Sequence, residues 1–234
     1  MISLTDKEKK LNLFLLLPFY FLYGQFLFMF VFLAIGFLLG MDMTDSAIDS
    51  YFNLVYMTFL AVASFLIFHS YLKKSWDHMK GKWLKQIGYA CTAGIAKFYF
   101  FNVVSSLIIL LINPNSSSAN QEAIIEMAAS SPIFMLITTV LLAPFVEEMI
   151  FRVGIFQMFY HKNRILAYLL GSLSFGFVHI MGGLFMGDFT QILFLLPYSL
   201  LGYALCNIYE KRDSIFVPMI VHMLNNLVAM IAIL

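Results

Sequence analysis

The sequence predicts an all-α polytopic membrane protein, a bundle of about seven transmembrane helices and at most eight, with its amino terminus in the cytoplasm. Three observations carry this expectation. Of 234 residues, 62% are hydrophobic and 12% are charged, against about 45–50% apolar residues in soluble domains, so the chain cannot cover itself with polar surface in water. Seven stretches stay apolar over the ~20 residues that a helix needs to cross ~30 Å of hydrocarbon. The loops between those stretches alternate in charge.

The stretches are Leu11 to Gly40, Tyr51 to Leu72, about Ile87 to Leu111, Pro132 to Gln157, Ile165 to Gly187, Phe189 to Tyr209 and Ser214 to Leu234. The first is much longer than the ~7–15-residue apolar core of a cleavable leader and is expected to remain as a span. It also exceeds one crossing, and Pro18 is the expected break between an interfacial segment and the span proper. Pro114 and the serines at 116–118 mark a loop, after which residues 119–130 are expected to form a short surface helix. Ser130, Ser131 and Pro132 give the start signal of the fourth span.

Charge fixes the expected orientation. Twelve of the 14 basic residues fall in residues 1–10, 73–86, 158–164 and 210–213, whereas the alternate loops carry Asp42, Asp45 and Asp49, then Glu122 and Glu126, then Asp188. Basic loops remain in the cytoplasm, which places Leu234 outside. A net charge of +1 provides no basic excess for nucleic acid. Cys91 and Cys206 lie in apolar stretches and are read as small hydrophobes. Lys97, inside the third stretch beside Phe98, Tyr99, Phe100 and Phe101, is expected to snorkel toward the cytoplasmic headgroups. His69, His78 and His161 are expected to be interfacial. Two parts are anticipated, residues 1–129 with the first three spans and residues 130–234 with a catalytic core.

The fourth span reads TTVLLAPFVEEMIFRVGIF and so buries Glu147, Glu148 and Arg152. Each such charge costs at least ~2.5–3.5 kcal/mol in lipid and needs a reason. Glu148 and Arg152 are four apart and share a helix face, so they can pair. Glu147 lies about 100° away around the helix and is left as the uncompensated acid. His179 follows Phe175 by four residues in the fifth span, beside a small-residue stripe of Ser172 and Gly176 that admits a close helix neighbour. In the last span His222 and Asn226 share one side, with Asn225 expected to point elsewhere. Pro144 and Pro218 are expected to distort their helices and open a wet pocket, which depth estimates from ~1.5 Å per residue place toward the cytoplasmic side.

The motifs EExxxR (Glu147 to Arg152), FxxxH (Phe175 to His179) and HxxxN (His222 to Asn226), in this order and each inside a span, resemble those of the CAAX-processing and bacteriocin-processing (CPBP, or Abi) membrane proteases. The resemblance covers roughly residues 130–234. It implies a glutamate-dependent endopeptidase of the cell membrane, with Glu147 as general base on a water assisted by His179, and with His222 and Asn226 stabilising the oxyanion. Glu148, Arg152 and Phe175 would support the site. Desolvating a carboxylate strengthens it as a base, and donors aimed at an oxyanion are worth ~2.7–4 kcal/mol each.

The expected partners are the bilayer and a peptide or protein substrate at the membrane, with no nucleic acid, no cofactor and no metal; oligomeric state is left open. Other readings compete. Intramembrane Glu, His, Asn and Arg also serve as interhelical hydrogen-bonding glue, although glue does not require this order and spacing. One Glu, two His and an amide could ligate zinc, but no HExxH is present. A non-cleaving immunity or peptide-binding protein is the alternative from another class, and a proton-coupled transporter is a weaker one.

Overall fold

The computed structural model describes residues 1–42, 45 and 47–234, so part of the acidic loop 41–50 lies outside the described residues. Among the described residues, seven helices are long and apolar enough to span a membrane: α1 (Asp6–Leu38), α2 (Ile48–Met79), α3 (Trp83–Ile112), α5 (Pro132–Tyr160), α6 (Arg164–Phe185), α7 (Phe189–Arg212) and α8 (Phe216–Ile233). The surface helix α4 (Ala119–Ser130) precedes α5 and is capped by the Ser118 side chain. No strand occurs among the described residues. The chain is a multi-pass integral membrane protein with an all-helical bundle.

Two expectations about helix breaks need correction. Helix α1 starts at Asp6, where Thr5 and Glu8 form a reciprocal capping box, and it continues through Pro18. Widened π turns at Asn12–Leu16 and Phe19–Tyr23 flank that proline and absorb its missing N–H without ending the helix. Pro218 lies in the first turn of α8, where backbone N–H groups lack helical partners in any case, so it distorts nothing. Pro144 does belong to a distortion, because α5 is π-helical over Thr138–Leu142 and again over Glu148–Phe156.

The charge alternation of the sequence becomes a physical separation. Glu8 accepts from the Tyr71 backbone N–H at 2.8 Å, Arg212 Nε donates to Gln86 Oε1 at 2.7 Å and Arg164 Nη2 donates to Glu210 Oε2 at 2.8 Å, which gathers the four basic segments at one end. At the other end Ser50 Oγ donates to the Met127 carbonyl at 3.1 Å and the Ala119 N–H donates to Gln191 Oε1 at 3.0 Å. Those bonds join the three acidic loops and pin α4 at both of its ends.

Burial concentrates on α5, whose Val146, Met149, Ile150, Phe151, Arg152, Val153 and Phe156 are fully enclosed. The small-residue stripe of α6 does what its spacing implies, admitting α7 closely. A Cβ on Gly176 would come 2.9 Å from the Leu195 carbonyl, and one on Gly202 would come 3.1 Å from the Ser172 Cα. Asn12 of α1 donates to the Gly154 carbonyl at 2.9 Å, a contact that holds the first span against α5.

Candidate active site

Glu147, His179 and His222 converge. The nearer oxygen of Glu147, Oε2, lies 3.7 Å from His222 Nε2 and 4.0 Å from His179 Nε2. It is buried, with no hydrogen-bond partner among the described residues. The three groups come from α5, α6 and α8, and each lines one cavity of about 570 Å³, within the usual range for ligand pockets.

Both imidazoles have a defined orientation. His179 Nδ1 lies 2.7 Å from the Phe175 carbonyl, which can only accept, so that nitrogen carries the proton and Nε2 offers its lone pair toward Glu147. Tyr198 stacks on the same ring with centroids 4.5 Å apart and planes 23° apart. His222 Nδ1 stands 3.1 Å from Glu148 Oε1. The carboxylate accepts there and aims Nε2 into the cavity.

The adjacent acid is therefore more than a partner for arginine. Arg152 Nε is 3.1 Å from Glu148 Oε2, both side chains being fully buried, as the four-residue spacing predicts. Glu148 thus bridges Arg152 and His222 with its two oxygens. The guanidinium carbon lies 4.6 Å from the Phe175 ring centroid, a cation–π contact of the kind that gains strength away from water. Phe175 also meets both imidazoles, 4.6 Å from His179 and 5.8 Å from His222. In this way the FxxxH phenylalanine fills the space between the histidines and the arginine.

Asn226 lines the cavity and donates from Nδ2 to the Thr139 carbonyl at 2.8 Å. Contrary to expectation, Asn225 does not point away. It lines the same cavity and donates to Asn226 Oδ1 at 3.1 Å, a contact permitted because neighbouring residues on a helix both border a wide space. Lys97 is half-buried, and its Nζ donates to Asn207 Oδ1 of α7 at 2.7 Å. The sequence reading missed Thr139, Tyr198 and the contribution of α4. A tyrosine and a backbone carbonyl distant in sequence carry no motif.

The cavity does not face the basic end. Its walls include Asn53 at the start of α2, Asn102, Ser106 and Ile109 in the second half of α3, and Asn120, Ile124 and Met127 of α4. All belong to the acidic end. The expectation of a pocket toward the basic, cytoplasmic loops fails because the buried half of α5 beyond Glu147 fills that end with side chains.

Residues 129–228, which enclose all three motifs, match the family model described as type II CAAX prenyl endopeptidase Rce1-like. The chain is 32% identical over 100 residues to the UPF0177 protein YvdC of Lactococcus lactis, covering 43% of this chain and 35% of that one. It is also 32% identical over 93 residues to the "Putative membrane peptidase YdiL" of Bacillus subtilis, covering 39% of this chain and 34% of that one. The matches thus span about a third of the length of these curated relatives. No solved structure matches the chain. Residues 129–228 are thus similar to the CAAX prenyl endopeptidase family, and to the matching third of a putative membrane peptidase.

Proposed function

We propose that this protein is an intramembrane endopeptidase in which Glu147 activates water, with residues 130–234 as its catalytic part. The observation that carries the reading is the separation of Glu147 from the two imidazoles. At 3.7 and 4.0 Å these groups lie just beyond direct hydrogen-bond reach and suit a small oxygen held between them. Glu147 takes a proton from water, and the resulting hydroxide attacks the scissile carbonyl carbon. His179, with its free Nε2 beside Glu147, relays that proton toward the departing amine.

The oxyanion needs donors. His222 Nε2 faces the cavity and is assigned to that task, and Asn226 has a second amide hydrogen beyond the one it gives to Thr139. Arg152 and Phe175 hold Glu148 and the imidazoles in place. The family names of the relatives support a peptidase, and the geometry gives each motif residue a task within it.

The test compares membrane proteomes of cells carrying the wild-type protein with those carrying Glu147→Gln. A protein or peptide that accumulates uncut in the variant is the expected result. Wild-type cleavage of that substrate by purified Glu147→Gln would end the assignment. Retention of the full cellular effect by that variant would instead favour a binding or immunity role.

A further inference from the structure

Three features combine to give this cavity a direction and an occupant. The first is the sorting of charge: the basic segments are bonded to one another at one end of the bundle, as Glu8 to Tyr71, Arg212 to Gln86 and Arg164 to Glu210 show. The second is where the cavity ends. It runs from Glu147 to α4, and α4 is tied to the acidic loops by Ser50 and Gln191. Toward the basic end, Met149, Ile150, Phe151 and Val153 are fully enclosed, and α3 meets α8 so closely that a Cβ on Gly94 would lie 2.8 Å from Val221.

The third feature is the chemistry of the walls. Six carboxamides border the space, Asn53, Asn102, Asn120, Gln121, Asn225 and Asn226, and no Lys or Arg does. A carboxamide at membrane depth is expensive unless it meets a partner, and each one offers a donor and an acceptor, as a peptide group does. Such a lining, interrupted by Phe98, Phe194 and Leu201, suits the backbone of an extended segment without charged side chains.

Because basic loops are retained in the cytoplasm, we infer that the site faces the non-cytoplasmic side of the membrane and takes an uncharged, extended polypeptide segment presented there. This rests on the peptidase reading for the fate of the segment, but the direction of the cavity is independent of catalysis.

The experiment uses the full chain in intact cells with Cys91 replaced by Ser and the enclosed Cys206 retained. Single cysteines are introduced as Gln121→Cys on α4 and Lys80→Cys at the basic end, and a charged, membrane-impermeant maleimide is the probe. Gln121→Cys is expected to react in intact cells, and Lys80→Cys only after permeabilisation, which also shows that both thiols are reactive. Any other pattern overturns the assigned direction. Repeating the labelling in Glu147→Gln gives the same pattern whether or not the protein is a peptidase. Mapping the cuts that Glu147→Gln abolishes tests the occupant: cuts in uncharged segments on the non-cytoplasmic side are expected, and cuts at cytoplasmic carboxyl termini overturn it.

Discussion

Asn226 satisfies a carbonyl that Pro144 leaves without a backbone donor. In the widened turn of α5 the Ala143 N–H reaches the Thr138 carbonyl. The next donor would serve Thr139, but residue 144 is proline and has none. The Asn226 amide supplies that bond at 2.8 Å, so the distortion of α5 and the last motif residue are parts of one device.

Removing that bond leaves a buried carbonyl unpaired, which typically costs ~1–3 kcal/mol. Asn226→Ala is therefore expected to unfold at lower temperature in detergent than the wild type. Adding Pro144→Ala, which restores an N–H to the helix, should recover much of that loss without recovering cleavage. Equal stabilities for Asn226→Ala and the wild type would disprove the link.

Glu148 serves two masters, and its replacement should show both. Glu148→Gln strands a fully buried guanidinium, for which breaking a buried pair suggests a loss of ~3–5 kcal/mol. Combining it with Arg152→Met removes the stranded charge and should restore most of the unfolding temperature. Cleavage should stay low in the double variant, because His222 still lacks its carboxylate. Recovery of both properties together would mean that the orientation of His222 has no consequence.

Close approach of α6 and α7 predicts a contrast between two glycines. A Cβ at Gly176 meets the Leu195 carbonyl at 2.9 Å and also the Ser199 hydroxyl, while one at Gly182 meets nothing within 4 Å. Gly176→Ala should cost ~1–3 kcal/mol through overpacking and displace His179, three residues along the same helix. Gly182→Ala should leave the unfolding temperature unchanged. If the two variants unfold alike, the helix contact is looser than described.

One titration can be read outside the spans. Hydrogen bonds from Thr190 and Gln191 hold the Asp188 carboxyl below its ordinary 3.8. A carboxyl with a lowered folded pKa contributes stability that is fully present above the ordinary value and is lost as pH falls through the lowered one. The wild type should therefore out-melt Asp188→Asn at neutral pH, with the difference shrinking below about pH 4. A gap that widened in acid would contradict the sign.

Much of this was legible in the chain because lipid imposes strong rules. Apolar length gave the seven spans, and loop charge foretold which segments meet at each end. The four-residue spacings placed Glu148 with Arg152 and put His179 beneath Phe175. Other features were invisible for physical reasons. Whether Pro18 ends a helix depends on π turns that cost little and leave no signature. Asn225 reaches the cavity because the space is wide, and Tyr198 stacks on His179 only through the fold of α7 against α6. The end toward which the cavity opens was misjudged because counting residues along helices says nothing about which half is filled with side chains.

The enclosed half of α5 has one more consequence. A hydrolase working below the lipid surface must admit solvent, and a continuous aqueous thread would short-circuit the ion gradients of its membrane. Here Phe151, Val153 and Phe156 stand fully shielded beyond the site, an apolar stopper between the cavity and the basic end. On the proposed peptidase reading, the bilayer therefore stays insulating while solvent reaches the site from one end only.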